Sequence, residues 1–208
     1  MVFNERGIGK MRKIYLASES KRRMQLLKNL RIKFSVIKPR TFEIMEMKAP
    51  EKLSIENASK KAWSVVSLVP ENACIIAADT IVVLNGRVLG KPRNVLEARK
   101  MLGELSGRWH EVITGLSVVL LPERKEVNDA VKTRVKFKQL TDKELEFYIA
   151  TKEPLDKAGA YGIQGYASMF IERIEGCYFN VVGLPINALY NLMMKVGVNL
   201  LEYIEMRS

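Results

Sequence analysis

The sequence predicts an α/β domain, on three observations. Strand-like apolar runs alternate along the chain with stretches whose apolar residues recur at helical spacing. Residues 75–84 are almost continuously apolar, as in a strand buried on both faces. Residues 110–121 and 125–139 read as two long strands joined by a short turn at Pro122-Glu123-Arg124, which makes a β-hairpin.

Taken in order, residues 1–12 read as an N-terminal extension and Lys13–Ala17 as the first strand. Ser20 is a good N-cap for a helix with Met24, Leu27 and Leu30 inward. Free backbone N–H groups, the positive end of the helix dipole, Arg22 and Arg23 would meet there, a place suited to a phosphate. Residues 34–37 form another strand, and a loop carrying Glu43 and Glu46 leads to a helix over 50–68. In that helix Leu53 is a staple, Ser54 the N-cap, and Ile55, Ala58, Ala62 and Val65 share a face, with Lys60 and Lys61 beside it. Asn94-Val95-Leu96-Glu97 is a capping-box pattern opening a helix with Val95, Ala98, Met101, Leu102 and Leu105 inward, closed by Ser106-Gly107. Thr141-Asp142-Lys143-Glu144 is another, with Leu145, Tyr148 and Ile149 inward. Gly159, Gly162 and Gly165 follow, and their spacing suggests a backbone passing close to a ligand or another strand. Residues 171–174 and 178–182 complete the strands, and Pro185 opens a last helix with Leu189, Leu192, Met193 and Val196 inward and Gly197 as its stop.

The chain has 208 residues, 48% hydrophobic and 27% charged, an ordinary balance for one soluble domain. No apolar run reaches the ~20 residues of a membrane helix, and residues 1–13 lack the apolar centre of a signal peptide, so a cytoplasmic location is expected. Cys74 and Cys177 lie far apart and away from the single histidine, His110, which points to free thiols and a structural histidine instead of a zinc site. A net charge of +11 suits attraction to a polyanion or to a small anionic substrate, but the basic residues are dispersed.

Within the apolar run, Asp79-Thr80 stands where burial should be strongest. An unpaired carboxylate there would cost several kcal/mol, so Asp79 must meet water, a cation or a donor. Asn85-Gly86 predicts a type I′ hairpin that returns Lys91 toward the carboxylate. The segment 86–92 is not a phosphate-binding P-loop: it is one residue short between its glycines, and Pro92 stands where Ser or Thr would bind metal. GxGxxG after the first strand and GxSxG are both missing, and one histidine makes metal sites and triads built on it unlikely. What remains is carboxylates, lysines, arginines and backbone donors, an inventory suited to phosphoryl chemistry with an oxygen-bound divalent cation.

Six short motifs in order carry a resemblance: Ser18-x-Ser20-x-Arg22-Arg23, Ala78-Asp79-Thr80, Gly90-Lys91-Pro92, Leu105-Ser106-Gly107-x-x-His110-x-Val112-x-Thr114, residues 156–165, and Asn180-Val181-Val182-Gly183-Leu184-Pro185. Together, over residues 13 to 197, they resemble the Maf family of nucleoside triphosphate pyrophosphatases. The resemblance implies an inosine triphosphate pyrophosphatase-like fold, a mixed, strongly bent sheet flanked by helices with two lobes around a central cleft, and a single catalytic domain over 13–208. It also implies cleavage between the α and β phosphates with Mg²⁺ or Mn²⁺, and a homodimer. Asp79 matches the family's proton acceptor, and Glu43, Lys61 and Lys91 match residues that handle metal and phosphate, Glu43 and Asp79 being the implied metal ligands. Ser18, Arg22 and Arg23 are expected on the triphosphate. Arg22, Thr80 and Gln164 match positions linked to base preference in the branch that hydrolyses dTTP and UTP. Lys21 stands where the family usually has Pro, a residue pre-organised for the first helical position but dispensable. Modified pyrimidine triphosphates present the same edge and are not separated from dTTP. The alternative from another class is a basic nucleic-acid-binding or cell-division regulatory protein with little catalysis.

Overall fold

The computed structural model describes residues 11–41 and 49–206. The extension expected over residues 1–12 falls, up to residue 10, outside the described residues, as do Glu43 and Glu46. Among the described residues seven strands form one sheet: β1 (Lys13–Ala17), β2 (Ser35–Ile37), β3 (Ala73–Leu84), β4 (Arg87–Leu89), β5 (Trp109–Leu120), β6 (Lys125–Phe137) and β7 (Ile171–Glu175). Their order is β2-β1-β3-β5-β6-β7, with β4 also on β3. β1 pairs in parallel with β2 and β3, and the β3–β5–β6–β7 ladder is antiparallel, so the sheet is mixed and open. Helices α1 (Lys21–Asn29), α2 (Pro50–Trp63), α3 (Val95–Leu105), α4 (Asp142–Ala150), α5 (Tyr178–Val182) and α6 (Ile186–Lys195) flank it.

Side-chain caps explain three of the six helix starts among the described residues. Ser20 accepts from the Arg23 amide, Asn94 from the Glu97 amide, and Thr141 with Glu144 makes a full capping box. α2 begins four residues before its expected cap: Ala49 is the N-cap and Pro50 takes the first turn, where a missing N–H costs nothing. Ser54 is therefore inside the helix, its hydroxyl bonded to the Glu51 carbonyl, and after Trp63 only a 3₁₀ turn at Val66–Leu68 continues toward the expected end. On α1 the inward residues are Arg23, Leu26 and Leu27, while Leu30 is exposed at the cap. On α3 Val95 is exposed but the rest of its expected stripe is buried. The segment expected as a last strand, 178–182, is the short helix α5. The chain leaves β7 through Gly176 at φ 125°, and helical turning puts Asn180 against the sheet, a tertiary demand that overrides the β preference of Tyr, Phe and Val.

Four apolar clusters divide the sheet along β3 and β5. On one face Cys74, Ile76 and Ala78 join α1 and α6, while Val82 and Leu84 join α3 and α4. On the other, Ala73, Ile75 and Ala77 pack with Ala62 and Val65, and Ile81 and Val83 with Leu53 of α2. The break on both faces falls at Asp79-Thr80, paired in register with Gly115 and Thr114 of β5. Two apolar halves thus meet at a polar waist.

Candidate active site

The waist coincides with a gap in the sheet. β1 pairs with β3 only as far as Leu16↔Ile76, and β4 only from Val82↔Leu89. Among the described residues, 77–81 of β3 consequently have no strand beside them on that side, and the gap is framed by the carboxyl end of β1 and by the turn of chain after β4. A crevice at strand carboxyl ends, where neighbouring connections diverge, is the usual ligand position in open α/β sheets. Because successive side chains alternate, Asp79 serves one face of the gap and Thr80 the other.

On the Asp79 face lies α2. Lys61 Nζ is 2.5 Å from Asp79 Oδ1, and Asn57 Nδ2 donates to Oδ2 at 3.2 Å. Side-chain exposures of 11% and 4% make Lys61 and Asp79 a buried ion pair, which answers how the carboxylate is accommodated. Asn57 was missed by sequence reasoning, although its four-residue spacing from Lys61 puts both on one helical face. The helix can approach this closely because Gly115 has no side chain: a Cβ there would lie 2.2 Å from the Ser54 carbonyl carbon. Each oxygen of Asp79 keeps a lone pair, the hard oxygen donor that Mg²⁺ or Mn²⁺ takes. Among the described residues no group of three His, Cys, Asp or Glu stands together; Glu43, the expected second carboxylate, lies outside them.

The Thr80 face lies under α1 and α5. Arg23, expected on the triphosphate, is buried, and protein acceptors take at least four of its donors. Its Nε donates to Gly183 O at 2.7 Å, Nη1 to Ala78 O at 2.8 Å and Ser18 Oγ at 3.4 Å, and Nη2 to Thr80 Oγ1 at 2.9 Å. The guanidinium ties α1, the gap edge of β3 and the segment after α5 together. Ser18 Oγ accepts from Arg23 and also from the Ser20 amide at 3.2 Å, so only its proton is left to offer, and that suits an anionic oxygen. Arg22 is half-buried at the start of α1, whose first turn has no acidic residue. Lys21 at the first helical position leaves the cap intact.

The other expected site residues, Lys91 and Gln164, are both exposed. Lys91 follows the hairpin predicted by Asn85-Gly86, whose φ values of 50° and 78° fit a type I′ turn. It is exposed, touches no protein acceptor among the described residues, and lines a cavity of about 280 Å³ with Arg93 and Lys100. The three glycines bring the chain close to protein neighbours: a Cβ on Gly159 would meet Val82 at 2.9 Å, and one on Gly165 would meet Glu153 Oε2 at 2.2 Å. Glu153 accepts from Tyr148 OH at 2.9 Å and from the Tyr166 amide at 3.1 Å, and so clamps the loop that exposes Gln164. Asp156, near this loop, has its pKa pushed up by burial, but Lys157 and Arg22 outweigh this and hold it below the usual range. His110 sits apart, with Nε2 2.7 Å from Tyr161 OH and the ring against Phe137 and Tyr161; burial drives its pKa down to about 4, as for a structural residue.

Comparison with known proteins adds an independent line. The family model described as Maf-like protein matches residues 13–196. A protein of Carboxydothermus hydrogenoformans named dTTP/UTP pyrophosphatase is 48% identical over 185 residues, covering 89% of this chain and 99% of its own. Proteins of the same name from Clostridioides difficile and Dictyoglomus thermophilum are 48% and 44% identical, covering 88% and 91% of this chain and 94% and 99% of theirs.

Proposed function

The chain belongs to the Maf family, and from that premise we propose that it hydrolyses dTTP and UTP to the nucleoside monophosphate and pyrophosphate. The observation that carries the reading is the gap in the sheet at Asp79-Thr80, which gives one bound nucleotide access to a buried acid on one face and a hydroxyl on the other. The Ser18 hydroxyl, the free amides opening α1 and the Arg22 side chain receive the triphosphate, with Lys91 approaching from the far rim. Lys61 holds Asp79 in place and adds positive charge near the bond that breaks, and Asp79 accepts the proton of the attacking water. Asp79 and Glu43 are the residues to hold a divalent cation, whose chemistry is neutralisation of charge on the phosphate oxygens. Thr80 and Gln164 face the pyrimidine, and modified pyrimidine triphosphates fit the same reading.

Surface pairing disfavours a continuous polyanion-binding stripe: Lys33, Arg87, Arg99 and Lys132 each face a carboxylate. No helix among the described residues is long and apolar enough to cross a membrane, and the proposed setting is the cytoplasm, as a homodimer, which light scattering of the eluted protein tests. The activity is tested with a panel of normal and modified triphosphates plus Mg²⁺ or Mn²⁺, scoring monophosphate and pyrophosphate separately. Release of single phosphates overturns the reaction class. Asp79→Asn is expected to lower turnover of dTTP by ~10²–10⁴-fold with the fold retained, and near-normal turnover removes Asp79 from the role of base.

A further inference from the structure

The hydroxyl of Thr80 has a fixed polarity, set by groups that do not themselves face the gap. The backbone carbonyl of Asn180 can only accept, so the 3.1 Å bond from Thr114 Oγ1 takes the single proton of Thr114. Thr114 must then accept at its 2.9 Å bond with Thr80, which makes Thr80 the donor. The guanidinium of Arg23 can only donate, so Thr80 accepts from it. One proton and one lone pair of Thr80 Oγ1 are thereby engaged, and a single lone pair is left. The source of this polarity is rigid: Thr114 and Asn180 are fully buried, and Asn180 Nδ2 is held by Val112 O and Thr133 Oγ1, each at 2.9 Å.

We infer that Thr114, backed by the Asn180 carbonyl and Arg23, is a positioning residue that locks Thr80 as a hydrogen-bond acceptor toward the base. The site therefore selects pyrimidines that carry a donor at N3, as thymine and uracil do, over cytosine, whose N3 is itself an acceptor. Turning the Thr80 proton toward cytosine would strip buried Thr114 of its donor, and no other donor reaches it among the described residues. The inference rests on the proposed reading of Thr80 as facing the base.

The test compares kcat/KM for dTTP and dCTP in the unaltered enzyme, Thr114→Val and Thr114→Ser. Valine keeps the shape of threonine without the hydroxyl and releases the Thr80 proton. The dTTP-to-dCTP ratio is expected to fall by ~10-fold or more in Thr114→Val, through better use of dCTP, and to be restored in Thr114→Ser. A purely structural role would lower both substrates together, and an unchanged ratio in Thr114→Val overturns the lock. Should Thr114→Val fail to fold, Thr114→Ala replaces it, because it removes the same hydroxyl and adds no polar group. Its dTTP-to-dCTP ratio is expected to fall by ~10-fold or more, and an unchanged ratio overturns the inference. An unaltered enzyme that turns over dTTP and dCTP alike refutes the base reading itself. Failure of the lock alone is different: selectivity is then present and survives in Thr114→Val.

Discussion

Replacing Lys61 with methionine keeps the length of the side chain and its packing under α2 while removing the only ammonium in contact with Asp79 among the described residues. Breaking a buried pair by deleting one partner costs ~3–5 kcal/mol, because the other charge stays buried without compensation. Asp79 retains the Asn57 amide, which places the cost toward the lower end, about 3 kcal/mol. For a chain of this size each kcal/mol moves Tm by ~2–4 °C, so a drop of ~6–12 °C is expected. Urea unfolding and a circular dichroism melt at neutral pH read it. The double variant with Asp79→Asn removes both charges and should recover most of the loss, since an amide has no buried charge to leave unpaired. A cost below ~1 kcal/mol for Lys61→Met, or strict additivity in the double variant, would refute the account of Asp79 as a carboxylate held by its ion pair.

Three other outcomes follow from particular residues. His110 has its pKa lowered from 6.5 to about 4 by burial, so the unfolded chain binds more protons than the native one between these values. Its contribution to stability is therefore full above pH ~6.5 and declines as pH falls toward ~4, and His110→Phe should flatten the dependence of the urea midpoint over that interval; an unaltered slope contradicts it. Gly115→Ala sets a Cβ 2.2 Å from the Ser54 backbone and must lift α2, which carries Asn57 and Lys61. It should cost ~3 kcal/mol and lower dTTP turnover in the same variant, and a normal melt with normal activity would show that the close approach is dispensable. Gln164→Ala is expected to weaken discrimination among bases more than the overall rate, measured as kcat/KM across dTTP, UTP, dCTP and dGTP.

The strands β1 to β7, most helices and three of the caps were legible because they are local. Ser20, Asn94 and Thr141 each answer an amide three residues away, and Asn85-Gly86 sets its own turn. Residues 178–182 were not legible, because β-favouring side chains there yield to the burial of Asn180 against strands more than forty residues distant in sequence. Asn57 shows a related limit: its spacing from Lys61 was visible, but nothing local says which face of α2 covers Asp79.

The sequence by itself determined that a carboxylate and a hydroxyl interrupt a buried strand, that Ser20 caps the first helix, and which family's motifs these residues match. Tertiary structure alone decided the use of each group. It gave Asp79 to Lys61 and Asn57 on one face, gave Thr80 to Arg23 and Thr114 on the other, and bonded Arg23 across to the Ala78 carbonyl. The physical reason is that a side chain's periodicity fixes only the face to which it points. The donors and acceptors it finds there come from distant segments, and in a buried site those partners determine whether a charge or a proton remains available to a substrate.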